Sequence, residues 1–180
     1  MRTCFSGKNC PPNFVKSFIH RRKIFFYARH TLYICIFTPM EACTYTHTAR
    51  IEVRYAETDQ MGIVHHSVYA VWFEQARTEF FREAGASYAD MEAEGFGAPV
   101  LELNVQFKAP THYGDFVDIE TTMVREGKLK MRFYYKATVN GKLCTTGSTL
   151  HCMTKDGRPT RELPASFSKF EFKTIEDKEG

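Results

Sequence analysis

Residues 55–84 read YAETDQMGIVHHSVYAVWFEQARTEFFREA, and the second part of this stretch decides the fold. Val68, Val71, Trp72, Ala76 and Phe80 recur at helical spacing, and Tyr69, Phe73, Phe81 and Ala84 widen the apolar stripe. The pattern predicts a helix over 66–84, with Gly85 as a natural stop. Its polar residues, Glu74, Gln75, Arg77, Thr78, Glu79, Arg82 and Glu83, gather towards the C-terminal half. Such a helix enters buried and exits wet.

Strand patterns lie on either side of it. Upstream, His47, Ala49, Ile51, Val53 and Tyr55 alternate with Thr46, Thr48, Arg50, Glu52 and Arg54, so a half-buried strand begins near Tyr45 and ends with Tyr55 on its apolar face. Downstream, residues 87–97 read as a loop or short second helix. Leu101, Leu103, Val105 and Phe107 then alternate with Glu102, Asn104 and Gln106 until Pro110 ends the strand. Val117 to Met123 gives the next strand. Leu129 to Val139 gives the clearest one, and Asn140-Gly141 is a strong hairpin signal into a last strand over about 142–154. The tail from Arg158 is polar with scattered phenylalanines.

The order is one strand, one long helix, then four strands joined by short turns. One sheet with one apolar face needs a cover, and the 66–84 helix is the element able to provide it. The expectation is an α+β hotdog fold, an antiparallel five-stranded sheet wrapped around one long central helix. An open sheet of this size leaves edge strands that proteins pair or cover, so a homodimer or homotetramer is expected.

The chain has 180 residues, 43% hydrophobic and 25% charged, which suits one domain with a real core. Its net charge of +3 hides a split. Residues 1–39 hold seven of the 24 basic residues and no acid, leaving 17 basic against 21 acidic over 40–180. A mildly acidic body does not suggest a nucleic-acid partner. We therefore expect a domain over 40–180 preceded by a separate extension over 1–39, either an upstream start before Met40 or a presequence. Ile24 to Phe37 is interrupted by Arg29 and His30 and too short for a membrane span. Six cysteines, at 4, 10, 35, 43, 144 and 152, make neither a disulfide framework nor a zinc pattern. Free thiols fit a cytoplasmic protein.

The chemistry concentrates in the loop before the helix. Asp59 and His66 are delivered to a helix mouth, where unpaired N–H groups carry partial positive charge. Carboxylate, imidazole and free donors are parts for acyl chemistry, in which an oxyanion must be stabilised. The spaced set Tyr55, Glu57, Thr58, Asp59, Gly62, Val64, His65, His66 and Tyr69, with Trp72, Glu74, Ala76 and Arg77 on the helix, resembles the hotdog acyl-CoA thioesterases. The nearest group is the 4-hydroxybenzoyl-CoA thioesterase type with its YbgC-like relatives. The resemblance spans about residues 46–165, and residues 1–39 have no counterpart in it. Glu57 departs from it, since relatives often carry Asp there.

The resemblance implies hydrolysis of an acyl-CoA to a free acid and CoA, with no cofactor. It implies Asp59 as the essential carboxylate, with Tyr55 and His66 assisting and the backbone N–H at His66 donating to the thioester oxygen. Each residue also has a plainer reading. Asp59 could serve the turn, Tyr55 the core, and His66 the helix start. Glu74, the rival carboxylate, is placed to pair with Arg77 or Thr78. His112 and His151 are isolated in the sequence, so no metal is expected. CoA phosphates would want a cationic rim, for which Lys108, Arg125, Lys128, Lys130 and Arg132 are candidates, although a solvated strand face would look the same. An acyl-carrier-protein thioesterase or a non-catalytic acyl-CoA-binding hotdog protein are the alternatives.

Overall fold

The computed structural model describes residues 40–174. The extension expected over 1–39 lies outside the described residues. Strand β1 runs Met40–Glu52 and starts earlier than the alternation suggests. It gives way to a 3-10 turn, Tyr55–Glu57. Helix α1 spans Val68–Glu83 and helix α2 Tyr88–Ala93. The strands that follow are β2 (Phe96–Gly97), β3 (Val100–Phe107), β4 (Phe116–Glu126), β5 (Lys130–Val139), β6 (Lys142–Cys152), β7 (Thr154–Lys155), β8 (Arg158–Pro159) and β9 (Phe172–Thr174).

The main sheet has the order β3-β6-β5-β4-β1-β9, with every neighbouring pair antiparallel. It therefore has six strands among the described residues, not five. The extra one is β9, where Phe172, Lys173 and Thr174 pair with Cys43, Ala42 and Glu41 along the outer edge of β1. Three residues with one half-buried side chain carry too little pattern to be read as a strand. The β5–β6 hairpin turns at Asn140 (φ 50°) and Gly141 (φ 76°), the left-handed pair that a tight hairpin needs.

The sheet wraps α1, the hotdog arrangement. Tyr69, Trp72, Phe73, Ala76, Phe80 and Phe81 are buried against Ile119, Met123, Phe133 and Tyr135. Phe73 stacks flat on Tyr135 with centroids 4.3 Å apart. At the far end of α1, Phe170 stacks on Phe80 at 5.6 Å and Phe167 lies against Phe81 at 5.7 Å. The phenylalanines of the tail thus close the core below the helix. Val71 was expected on the buried stripe, but it is 59% exposed. One sheet covers one side of a helix, and Val71 falls on the other. Among the described residues no helix is long and apolar enough to cross a membrane.

Candidate active site

The loop between β1 and α1 is closed on itself. Thr58 and Val64 form an isolated antiparallel bridge. Inside it, Asp59 N donates to Ile63 O (2.9 Å) and Gly62 N to Asp59 O (2.9 Å). Gly62 adopts φ 75°, a conformation glycine reaches without steric cost. The Asp59 side chain takes part as well: its Oδ1 accepts from Met61 N at 2.8 Å. This is an Asx turn, so the plainer reading of Asp59 is realised in one of its oxygens. Among the described residues no donor reaches Oδ2. The carboxylate is half-buried and held by its own loop, with one oxygen still available.

The loop is fastened to the rest of the fold at two places. Val64 N donates to Thr111 O (2.9 Å), and the Thr111 hydroxyl meets Tyr69 Oη of α1 at 2.8 Å. On the other leg, His65 N donates to Glu57 O (2.9 Å). The Glu57 carboxylate is buried. Its Oε2 accepts from Arg54 N (2.9 Å), and its Oε1 accepts from Arg54 Nη2 (2.7 Å) and from Trp72 Nε1 (3.2 Å). Burial by itself would raise the carboxyl's pKa. The Arg54 and Trp72 donors outweigh it and hold the group below the usual glutamate range. Sequence reasoning treated Glu57 as a mild departure from a family pattern and missed this role. Nothing in the local spacing signals a buried carboxylate whose partner, Trp72, lies across a loop.

His65 and His66 behave differently. His65 Nδ1 lies 2.8 Å from Ser67 Oγ, so its ring is tied to the turn that leads into α1. His66 is exposed and lies against His65 with ring centroids 4.0 Å apart. Helix α1 begins at Val68, so His66 lies in the entry turn, not in the first turn of the helix as the spacing suggested. Its backbone N–H has no acceptor among the described residues. Tyr55 also differs from expectation. It does not close β1 on the apolar face but sits in the 3-10 turn, 77% exposed, edge-on to Tyr113 at 5.7 Å. The strand ends at Glu52 and the chain turns into the 3-10 helix at Tyr55, so the alternation that placed Tyr55 in the core stops before it. Asp59, His66 and Tyr55 thus belong to one short segment ahead of α1, and the core reading of Tyr55 is excluded.

Residues 53–170 match the model of the thioesterase-like superfamily. The chain belongs to this superfamily. YneP of Bacillus subtilis, named provisionally as an acyl-CoA thioesterase, is 40% identical over 108 residues, 59% of this chain and 78% of that protein. The crystal structure of DHNA-CoA thioesterase from Staphylococcus aureus is 38% identical with a TM-score of 0.63, covering 69% of this chain and 89% of that one. A hypothetical protein of Thermus thermophilus is 40% identical with a TM-score of 0.65, covering 68% and 95%.

For a thioesterase-like chain the cationic candidates divide by position. Glu52 pairs with Phe116 at one end of the β1–β4 ladder, and Met40 with Glu126 at the other. The 11 residues of β4, at about 3.3 Å each, put the β4–β5 turn roughly 30 Å from the Asp59 end. Arg125, Lys128, Lys130 and Arg132 all lie at that far end of the protomer. Arg132 is also buried and committed, to Glu126 at 2.5 Å and Glu102 at 3.2 Å. Arg125 pairs with Glu41 at 3.2 Å and covers the Phe172 ring. Lys108 is exposed and at the Asp59 end, just after β3. Arg77, one of the two partners offered for Glu74, instead donates to Tyr88 Oη (2.9 Å) and Tyr135 Oη (3.1 Å) inside the core.

Proposed function

We propose that the chain hydrolyses acyl-CoA thioesters, with Asp59 as the group that attacks the carbonyl or activates the attacking water. The observation that carries this reading is the Asp59 carboxylate itself. One oxygen is fixed in the turn at 2.8 Å from Met61 N, the other has no donor among the described residues, and the unpaired His66 N–H lies at the entry to α1. In the nucleophilic route Asp59 adds to the thioester carbon, the C–S bond breaks, and CoA leaves as thiolate. Water then adds to the Asp59 carbonyl carbon of the resulting mixed anhydride and breaks that carbon's bond to the bridging oxygen, returning the carboxylate and releasing the acid. In the general-base route Asp59 takes a proton from water as it adds. In both, the developing oxyanion is met by the His66 N–H, a type of donor worth about 3 kcal/mol in comparable sites. His66 and Tyr55 assist from the exposed rim, and Lys108 is the cation placed to meet a CoA phosphate.

The active form is proposed to be an oligomer, at least a dimer. β3 is the terminal strand of the main sheet, and Val100, Leu101, Leu103 and Phe107 are each about half exposed on it. An open apolar edge of this kind is a site for pairing with a second copy. The name of the Staphylococcus aureus relative makes an aromatic acyl-CoA the first substrate to try. Acyl-carrier-protein thioesters, which offer the same thioester on a protein, are the second.

Asp59→Asn keeps the shape and removes both nucleophile and base. Steady-state turnover on a panel of aromatic, short and long acyl-CoAs should fall about a thousandfold, with substrate binding retained. Near-normal hydrolysis by that variant, with His66→Ala inactive, would transfer the role to the histidine. Single turnover in oxygen-18 water separates the two routes. Label in Asp59 supports the anhydride, and label in the product acid alone on the first turnover supports water attack.

A further inference from the structure

The site as proposed uses Asp59, His66 and Tyr55 and leaves a more deeply buried carboxylate unexplained. Glu57 is two residues upstream of Asp59, and it joins three separate parts of the fold. Its backbone carbonyl holds His65 N, beside the proposed oxyanion donor. Its backbone N–H donates to Arg54 O at 3.0 Å, which closes the 3-10 turn. Its carboxylate reaches into the core and accepts from Trp72 Nε1. Trp72 is itself buried and meets Tyr69 edge-on at 5.0 Å. Tyr69 in turn grips Thr111, whose carbonyl holds Val64.

The loop carrying Asp59 therefore hangs between two side chains of α1. Tyr69 holds one leg through Thr111, and Trp72 holds the other through Glu57. Residues three apart on a helix share one face, so the two grips act from the same side. Apart from these, Val68 N donates to His65 O at 3.0 Å where the chain enters α1, and Thr58–Val64 with the internal loop bonds sets the shape of the loop. A carboxylate suits the position at Glu57, because all three of its neighbours are donors and a neutral amide would turn its own N–H towards one of them.

We infer that Glu57 is a positioning residue, whose ionised carboxylate sets the distance between Asp59 and the mouth of α1 by tying the loop to Trp72. The inference rests on the reading of Asp59 as the reacting carboxylate. A misplacement of about 1 Å at a reacting group can cost on the order of a hundredfold in rate, so loss of the tie should be read in turnover more than in binding.

The test uses the full-length protein and measures kcat and KM on an aromatic acyl-CoA, with thermal melting alongside. Glu57→Gln and Trp72→Phe are made alone and together with Asp59→Asn. Glu57→Gln should lower kcat by about tenfold to a hundredfold with KM within about threefold of the wild type. Trp72→Phe, which removes the indole N–H donor together with part of the buried ring, should move kcat in the same direction, with thermal melting reporting the packing loss separately. Neither should lower the residual rate further in the Asp59→Asn background, because both act through Asp59.

The chain has a single tryptophan, so its emission reports on the tie independently of turnover. In Glu57→Gln it should shift to shorter wavelength as the indole loses its charged acceptor. A folded Glu57→Gln with wild-type kcat overturns the inference. So does a kcat loss of the same factor with and without Asp59, or an effect on KM alone. If Glu57→Gln does not fold, Trp72→Phe decides by the same criteria. An inactive Asp59→Asn beside a fully active Glu57→Gln sinks only the positioning role. A fully active Asp59→Asn sinks the reading of Asp59, and the positioning role with it.

Discussion

His151 shows how strongly a single residue can be constrained here. The ring is buried, with Nδ1 2.9 Å from Ala98 O and Nε2 2.9 Å from Thr149 Oγ1. The donors line up in one direction only if the imidazole is neutral. Arg77 donates to Tyr135, Tyr135 to Thr149, Thr149 to Nε2, and Nδ1–H to Ala98. Burial depresses the imidazole pKa to about 4, the Arg77 charge adds to the effect, and the Ala98 bond opposes it. The unfolded chain takes up a proton near 6.5 that the folded chain refuses until about 4, so stability falls with pH across that window and levels off below it. The full effect is at most about 3 kcal/mol, from 1.36 kcal/mol per unit. Melting temperature measured between pH 7 and 4 should drop in the wild type and much less in His151→Gln. Equal slopes in the two proteins would count against a neutral buried imidazole. In the sequence His151 was only an isolated histidine. Its partners come from α1, β5, β6 and the segment before β3, which no local pattern could join. The position of the Asp59 loop ahead of α1 was legible because the two are contiguous in the chain.

At the scale of elements, α1 packs mainly on β1 and β4 and meets β5 and β6 through Phe73. Gly147 of β6 lies directly under Phe73, and a Cβ there would fall 2.4 Å from Phe73 Cε2 and 2.8 Å from Asn104 O. The face of the ring is held by its stack on Tyr135, the residue paired with Gly147 on β5. Neither neighbour has room to yield, since one is backbone and the other a packed ring. Gly147→Ala should cost about 1–3 kcal/mol, the usual range for overpacking. Differential scanning calorimetry should show a melting point lower by several degrees, and an unchanged one would mean that the sheet can open at this point. The helix and the four downstream strands could be read because their periods are long and their stops are marked, as at Gly85 and Asn140-Gly141. β9 and the turn Ala165–Lys169 could not be read in the same way. Their anchors, Phe167 and Phe170, are single residues whose partners, Phe80 and Phe81, lie far back along the chain.

For the whole molecule, the question is what the β3 edge does. Leu103 and Phe107 lie on the sheet face that pairs with Thr149 and Thr145, the side towards the helix, yet they are 47% and 53% exposed. A second copy paired along β3 would cover them. Leu103→Lys should shift the protein to monomer at low micromolar concentration by light scattering, without unfolding it. Activity should fall if the site borrows surface across the interface. A wild type that is fully active as a monomer would overturn the oligomer proposal. The sequence suggested an open edge, but which strand would be outermost depends on β3 pairing with β6 and not with β4, its next neighbour along the chain.

The strand order also implies a sequence of events in time. β4, β5 and β6 are joined by tight turns and can pair as soon as they are made, whereas β1 reaches β4 only across α1, α2 and β3. Closing that long loop costs entropy before any contact repays it. The meander should therefore be ordered early in the folding transition state, and the β1–β4 ladder late. The Asp59 loop is anchored to β1 at one end and to Thr111, just ahead of β4, at the other. Its geometry would be among the last to form, so refolding followed by enzyme activity should lag behind refolding followed by the burial of β-sheet structure.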